Sequence, residues 1–314
     1  MGGEDDGGEG VNGGFQYVAR KVKSNRKRRK GRKDTSEEGM EGKLSKRKEI
    51  IATKKTLLIT GEIGKMMESL LERVLPAKEF NLPQYILALG LGSVKTSKAA
   101  QLQLAFLLLV REKLEKNGSD QRVVRVEAYD PIFDDEDRDL LTSLKITPLQ
   151  FNVQGRYPFE ETVFVYMPHC TRTLYENLLR SNWSSTGLSR LYLCCNNLER
   201  YADLKSSNQL TPCIKRIGQS SVHIPYPDQL HSHSHSFSHS VPRLVVDHLP
   251  LLPSPNNDAL NDLAIQRYND LDDSITLLTE KLSQTTFDSQ KEVNKFWILP
   301  PEAKASIEED PELI

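Results

Sequence analysis

The chain has 314 residues and a formal net charge of -1, with 42 Lys and Arg against 43 Asp and Glu. That length accommodates one large domain or two modest ones. The longest strongly apolar stretch, Leu102–Val110, is too short to cross a bilayer, and the N-terminus lacks the apolar run of a secretory signal. We therefore expect no membrane segment. Four cysteines without a Cys-x-x-Cys pair predict reduced thiols inside a cell and no structural zinc site.

Residues 1–45 are predicted to be a disordered, basic N-terminal segment. Ten of the fourteen residues Arg20–Lys33 are Lys or Arg, and Val22 is the single apolar side chain among them. Such a block cannot fold, because like charges repel and almost nothing apolar is available to bury. It favours recognition by the nuclear import machinery or weak nonspecific contact with nucleic acid. Specific binding is not expected, because no aromatic residues are interleaved for base stacking.

A helical lead-in is predicted over 46–81, with Gly61 and Gly64 as candidate breaks. From residue 82 onward, short apolar runs alternate with helical patterns. The predicted strands are 84–90, 122–130, 146–152, 161–168 and 188–196, and the predicted helices between them are 97–118, 134–145 and 171–183. Apolar strands that alternate with helices predict a doubly wound α/β domain with a mainly parallel, Rossmann-like sheet over 82–314.

The C-terminal part of this domain is predicted to be helical and rich in loops. Residues 219–256 form a loop insert that contains the low-complexity run His231–Ser240, and 257–282 has helical spacing. A last strand-like segment, 287–300, carries Trp297 as an anchor. The alternating histidines of the run allow adventitious metal binding, and a solvated loop is the favoured interpretation.

Polar residues and glycines follow the predicted strands at the ends where ligands bind to open parallel sheets. The candidate site residues are Gly90, Gly92 and Ser93 after the first strand, Asp130 after the second, His169 after the fourth, and Asn196 and Asn197 after the fifth. The order of a doubly wound sheet makes the first and fourth strands neighbours. These residues are therefore predicted to meet in one crevice between the two strands.

Two interpretations of this cluster stay open. In the first, Gly90 and Gly92 adopt positive φ and admit a nucleotide-like ligand, the next helix presents its N-terminal amides, and Asp130 accepts from a ribose. In the second, the glycines form a tight turn that Asp130 caps. Lys95 stands where a dinucleotide fingerprint has its third glycine, and Asp130 comes 38 residues after Gly92 instead of about 20. Both departures favour the second interpretation.

A nucleophile and base formed by His169 and Cys170 is not expected. Adjacent residues at an extended strand end point in opposite directions, so the two side chains would not bond to each other. We expect His169 to line the crevice and Cys170 to pack.

Four stretches of the chain together resemble one known family. They are LALGLGSVKTSKAAQLQLAFLLLV, VEAYDPIFDDEDRDLLTSLKI, TVFVYMPHCTRTLYENLLRSNWS and LYLCCNNLERY. In order and spacing they are similar to the domain of the Sensitivity to Red Light Reduced family, with the strongest match over 82–201. The chain departs from the family pattern at LYLCCNN, where Gly-Asn-Ser is more usual after the strand.

The resemblance implies a regulatory protein of the cytoplasm and nucleus. It implies a role in circadian clock control and in haem biosynthesis, exerted through protein partners or a bound small ligand. No catalytic residue is transferred by it, and no cofactor is identified. The alternative is a Rossmann-like enzyme, dependent on a nucleotide or on S-adenosylmethionine, that uses the turn at Gly90–Ser93 and Asp130.

Overall fold

The computed structural model of the chain describes residues 37–75, 82–118, 122–202, 211–219, 221–223, 243–252, 257–269 and 299. The helices are α1 (Glu37–Ile59), α2 (Gly61–Val74), α3 (Lys98–Asn117), α4 (Asp135–Ser143), α5 (Arg172–Ser181), α6 (Ser185–Ser189), α7 (Leu198–Ala202), α8 (Pro212–Gln219) and α9 (Asn257–Leu260). The strands are β1 (Tyr85–Leu89), β2 (Arg125–Tyr129), β3 (Thr147–Pro148), β4 (Val163–Met167), β5 (Leu191–Asn196), β6 (Ser221–His223), β7 (Arg243–His248) and β8 (Leu263–Asn269).

Over these residues the strands form one eight-stranded sheet in the order β3-β2-β1-β4-β5-β8-β7-β6. The first five strands in this order, β3 to β5, all run parallel to one another. Strand β8 runs antiparallel to both β5 and β7, and β6 is parallel to β7. The order 3-2-1-4-5 gives the first five positions of the doubly wound order 3-2-1-4-5-6. The predicted α/β fold with a mainly parallel sheet is therefore confirmed.

Alternate residues of the strands face two different apolar layers. Ile86, Ala88 and Phe164 pack in one cluster with α2, α3 and α4, whereas Leu87 and Val165 pack in the other with α5 and α8. Strands β1 and β4 are buried at every position, because helices cover both faces at the centre of the sheet. None of the described helices is both long and apolar enough to cross a membrane.

The N-terminal helices depart from the sequence prediction at their start. Helix α1 begins at Glu37, so the prediction of disorder over 1–45 is wrong for residues 37–45. Leu44 packs against the apolar cluster on the α3 side, which gives this part of α1 a reason to form. Helix α1 ends at Ile59, and α2 starts at Gly61, whose φ is +61°.

The C-terminal elements correct two further predictions. Strands β6 and β7 lie within 219–256, which was predicted to be a loop insert, and β8 lies within 257–282, which was predicted to be helical. Strand β8 sits between β5 and β7, where Ile265 is buried in one layer and Ala264 in the other. A strand buried on both faces has no period-two pattern, so its apolar residues can imitate helical spacing. The histidine run and the segment around Trp297 lie outside the described residues.

Candidate functional site

The register of the sheet brings four strand ends to one level. Leu89 pairs with Tyr129, Ala88 with Tyr166, and Met167 with Cys195. The next residues, Gly90, Asp130, Pro168 and Asn196, therefore follow side by side at the carboxyl edge. Strands β1 and β4 are neighbours, as predicted, and their following helices α3 and α5 pack on opposite faces. This is the topological switch point at which open α/β sheets bind ligands.

The turn after β1 uses two glycines in the left-handed region, with φ of +68° at Gly90 and +76° at Gly92. The Gly90 amide donates to the Tyr129 carbonyl at 3.2 Å. A Cβ on Gly90 would lie 2.5 Å from the Cys170 Sγ, whereas a Cβ on Gly92 would meet only the Cβ of Ala100, at 3.6 Å. Gly90 therefore permits a close approach between the ends of β1 and β4, and Gly92 serves mainly its backbone conformation.

Asp130 is directed at this turn. Its Oδ2 accepts from the Gly92 amide at 2.7 Å, and its Oδ1 accepts from the Ile132 amide at 3.0 Å. The side chain is 6% exposed, and burial raises the pKa of Asp130, while the two amide bonds oppose that rise and nearby Asp137 adds to it. This geometry supports the interpretation of Asp130 as the cap of the corner. Acceptance from a ribose stays a prediction.

Helix α3 does not begin directly after the glycines. Ser93 to Ser97 form an intervening turn in which the Ser97 amide donates to the Ser93 carbonyl at 2.9 Å. Ser97 caps α3 by accepting from the Ala100 amide at 3.2 Å. The expected arrangement, with the α3 amides next to Gly92, is therefore replaced by a self-capped helix one turn further along the chain.

Lys95, in the place of the third fingerprint glycine, ties the turn to α4. Its amide donates to Asp137 Oδ1 at 2.8 Å, and its ammonium lies 2.8 Å from Asp134 Oδ2 and 3.0 Å from Glu136 Oε2. Arg47 of α1 also pairs with Glu136. Lys95 lowers the pKa of Asp134, and Arg47 followed by Lys95 lowers that of Glu136. Asp134, Glu136 and Asp137 thus anchor the glycine turn to the start of α4.

The other wall of the crevice is the end of β4. His169 has φ of +55°, a strained conformation for a residue other than glycine, and its amide donates to Asn196 Oδ1 at 2.9 Å. The half-buried imidazole lies 3.3 Å, at Nε2, from the Ala259 carbonyl. The buried Cys170 thiol donates to the Leu89 carbonyl at 3.4 Å. The two neighbouring side chains thus take different partners, in agreement with the sequence argument against a nucleophile and base.

The two asparagines after β5 have separate structural roles. Asn196 Oδ1 holds the His169 amide and also accepts from the Tyr175 hydroxyl at 3.3 Å. Asn197 is 4% exposed, and its Oδ1 accepts from the Glu199 amide at 3.0 Å at the start of α7. The Asn196 side chain therefore positions the wall of the crevice, whereas the Asn197 side chain caps the start of α7.

The structure assembles five of the predicted residues around the switch point: Gly90, Gly92 and Asp130 on one wall, His169 and Asn196 on the other. Ser93 lies in the adjoining turn. Sequence reasoning missed the carbonyl of Ala259, because α9 was not placed near the sheet. None of the four cysteines forms a disulfide, and all four are buried. The described residues contain no group of three or more His, Cys, Asp or Glu able to hold a metal ion.

The strand order defines a doubly wound α/β domain, and polar residues and glycines stand at its switch point. Residues 59–267 match the model of the SRR1 domain, so the chain belongs to the SRR1 domain family. The predicted resemblance to this family is confirmed. The match extends beyond 82–201, where the resemblance was strongest, and takes in β7 and most of β8.

Two relatives share substantial sequence with the chain. An SRR1-like protein of Mus musculus is 43% identical over 110 residues, 34% of this chain and 42% of that protein. Protein SENSITIVITY TO RED LIGHT REDUCED 1 of Arabidopsis thaliana is 30% identical over 129 residues, 41% of this chain and 45% of that protein. The matched segments thus span less than half the length of either relative.

One solved structure, the crystal structure of 23S rRNA methyltransferase ErmE, is similar at a TM-score of 0.31 and 11% identity, over 65% of this chain and 67% of that one. A TM-score this low does not establish a shared fold.

Proposed function

We propose that the chain is a regulatory protein that acts in light-dependent or circadian control, and not an enzyme. Its membership in the SRR1 domain family carries this proposal, together with the name of the Arabidopsis relative, which refers to reduced sensitivity to red light. The sequence resemblance extends the proposal to control of haem biosynthesis. In this proposal the protein works in the cytoplasm and nucleus through protein partners, and Arg20–Lys33 directs nuclear import.

The contacts in the crevice support recognition more than catalysis. Both oxygens of Asp130 accept from backbone amides, and the Cys170 thiol donates to a backbone carbonyl. A general base or nucleophile must be able to reach a substrate proton or reacting atom, and these two groups are occupied by the fold itself. The His169 imidazole and the Ser93 hydroxyl are the polar groups best placed to select a small ligand.

A nucleotide-like molecule is the ligand class proposed for this crevice, because the site lies at the switch point of a doubly wound sheet. The same observation supports the second candidate function, an enzyme dependent on a nucleotide or on S-adenosylmethionine. The two candidates differ in outcome. A regulator binds the ligand without turnover, whereas an enzyme converts it in the presence of a second substrate.

Thermal unfolding of the full chain with ATP, GTP, NAD or S-adenosylmethionine tests the ligand. A compound present at about 100 times its dissociation constant stabilises the native state by about 2.7 kcal/mol. The variant His169→Asn removes the imidazole and keeps a residue that tolerates positive φ. The matched control is Lys145→Asn, because exposed Lys145 also has a positive φ, of +59°, and follows α4 away from the crevice.

We expect the ligand-induced shift to fall in His169→Asn and to persist in Lys145→Asn. Equal shifts in all three proteins would exclude the imidazole from recognition, and no shift with any compound would remove the ligand from the proposal.

The regulatory role is tested in cells of the source organism that lack the chain and carry a luminescent circadian reporter. We expect the reporter to change in period or amplitude, and wild-type chain to restore it. An unchanged rhythm under both light and dark conditions would contradict the proposed function, whatever the crevice binds.

A further inference from the structure

One face of β2 is polar and incompletely covered. Val126 and Ala128 are buried on the α3 side, whereas Arg125 is exposed and Glu127 and Tyr129 are half-buried on the opposite side. In a doubly wound sheet a helix normally covers each face. Here the segment that leads into β4, residues 157–161, lies over the start of β1 and β2 in place of a helix.

A cavity of about 450 Å³ opens at this place, at the amino ends of the strands and therefore at the opposite edge from the crevice. Three aromatic side chains line it. The rings of Tyr85 and Phe159 meet edge to face at 6.1 Å, and those of Tyr157 and Phe159 stack at 6.4 Å. Arg125, Pro158, Glu160 and Glu161 complete the lining. We call this cavity the aromatic pocket.

The pocket already holds one guanidinium, that of Arg125. The Arg125 Cζ lies 4.2 Å from the centroid of the Tyr85 ring, and its Nη2 donates to Glu161 Oε1 at 2.7 Å. The side chains of Arg125 and Glu161 are 58% and 50% exposed, so this pair is accessible to solvent and to exchange. Planar stacking on aromatic rings and bidentate pairing with a carboxylate favour guanidinium over a simple ammonium.

The charges around the pocket exceed what Arg125 neutralises. Glu160 and Glu161 in the lining and Glu127 beside it carry three negative charges. Against them stand the charges of Arg125 and of Arg190, whose Nη1 donates to the Phe159 carbonyl at 3.2 Å. Glu127 Oε2 also accepts from the Tyr85 hydroxyl at 2.7 Å, and burial, followed by this contact, raises the pKa of Tyr85 well above its usual range. Tyr85 therefore stays neutral, and these groups give the pocket a net charge of about -1 near neutral pH.

We propose that the aromatic pocket binds an arginine side chain of a partner protein. The incoming guanidinium stacks on Tyr157 and Phe159 and pairs with Glu160 and Glu161, while Arg125 moves toward solvent. Charge complementarity and the contacts of Arg125 carry this assignment, and it does not depend on the ligand of the crevice.

The test is fluorescence anisotropy with the full chain and a labelled five-arginine peptide at about 150 mM salt, where distant charges are screened. A five-lysine peptide of equal charge is the control probe. Arg125→Ala frees the Tyr85 ring and removes a competing cation. The pair Glu160→Gln/Glu161→Gln removes two carboxylates of the pocket. The matched control pair Glu72→Gln/Glu112→Gln removes two exposed carboxylates elsewhere: Glu72 pairs with Lys113 of α3, and Glu112 pairs with Lys55 of α1.

We expect the arginine peptide to bind at least about fivefold more tightly than the lysine peptide. Arg125→Ala should tighten that binding about threefold or more, and Glu160→Gln/Glu161→Gln should weaken it by a similar factor while the control pair does not. Equal binding of the two peptides, or equal loss in the two Gln pairs, would reduce the effect to general charge attraction and overturn the proposal.

The chain's own basic block is the competing occupant. A full-length variant in which its five arginines, at positions 20, 26, 28, 29 and 32, are lysines keeps the charge and removes the guanidinium groups. Peptide binding that appears only in this variant would assign the pocket to the chain's own block and overturn the partner assignment. Peptide binding that is unchanged in it supports a site for a partner.

Discussion

Gly90 is the position at which the turn after β1 is least able to accept a side chain. Its φ of +68° costs a residue with a Cβ about 1–2 kcal/mol. In addition, a Cβ there would lie 2.5 Å from the Cys170 Sγ, about 1 Å inside normal contact. Cys170 is buried, and its thiol donates a hydrogen bond to the Leu89 carbonyl, so the side chain cannot move aside freely. Overpacking of this kind adds about 1–3 kcal/mol.

Gly90→Ala should therefore lower the free energy of unfolding by about 2–5 kcal/mol. Gly92→Ala is the matched control, because Gly92 has a similar φ of +76° and a Cβ there meets Ala100 only at 3.6 Å, an ordinary contact. It should cost about 1–2 kcal/mol, the strain alone. Denaturant unfolding of both variants, followed by circular dichroism, measures the difference.

A double-mutant cycle assigns that difference to its cause. If the clash with Cys170 is responsible, Gly90→Ala combined with Cys170→Ala should be about 1–2 kcal/mol more stable than the sum of the single effects. Additive effects, or equal losses for Gly90→Ala and Gly92→Ala, would refute the close approach of β1 and β4 as the reason for this glycine.

Three further predictions follow from contacts elsewhere. Asp130→Asn should lower the free energy of unfolding by about 1–2 kcal/mol, because one hydrogen bond from a backbone amide is weakened. Burial raises the folded pKa of Asp130, so the carboxyl's contribution to stability is complete below its ordinary pKa of 3.8 and is lost as the pH rises through the folded pKa. Denaturant unfolding from pH 3.5 to 7 should therefore show the advantage of the wild type over the variant shrinking. Deleting residues 1–36 should leave the melting temperature within about 2 °C and lower the nuclear fraction in imaged cells, whereas deleting 1–45 should also destabilise the fold, because it removes the first turns of α1. Arg73→Ala should cost about 2–4 kcal/mol in chemical denaturation, because it removes the 2.8 Å partner of Asp247, whose side chain is 4% exposed.

The central strands and the switch point were predictable because local pattern and topology agree there. Apolar runs of five or six residues, bounded by glycine or proline, alternate with helical spacing, and only a few strand orders accommodate such a pattern. Once β1 and β4 are neighbours, the positions of Gly90 and His169 at one edge follow from register alone.

The failures of the sequence argument have two physical causes. Strand β8 is buried on both faces, so Leu263 and Ile265 carry no signal that separates strand from helix. The partners of Asp130 and Lys95 are backbone amides and side chains fixed by the packing of α4 on the turn, a long-range contact that no local spacing encodes. Sequence reasoning could therefore place these residues at the edge, but it could not decide whether their polar atoms face a ligand or the chain.

The motifs that carry the family resemblance contact one another, which changes what they mean for function. The GLGS turn meets the YMPHC segment where Gly90 approaches Cys170, and it meets the YDPxF segment where Gly92 donates to Asp130. The amide of His169 is in turn held by Asn196. A change in any one of these partners disturbs the others. The backbone of the crevice therefore requires these residues together, whether or not a ligand binds there. Experiments on recognition must therefore spare these contacts and alter side chains that do not hold the turn, such as the half-buried imidazole of His169.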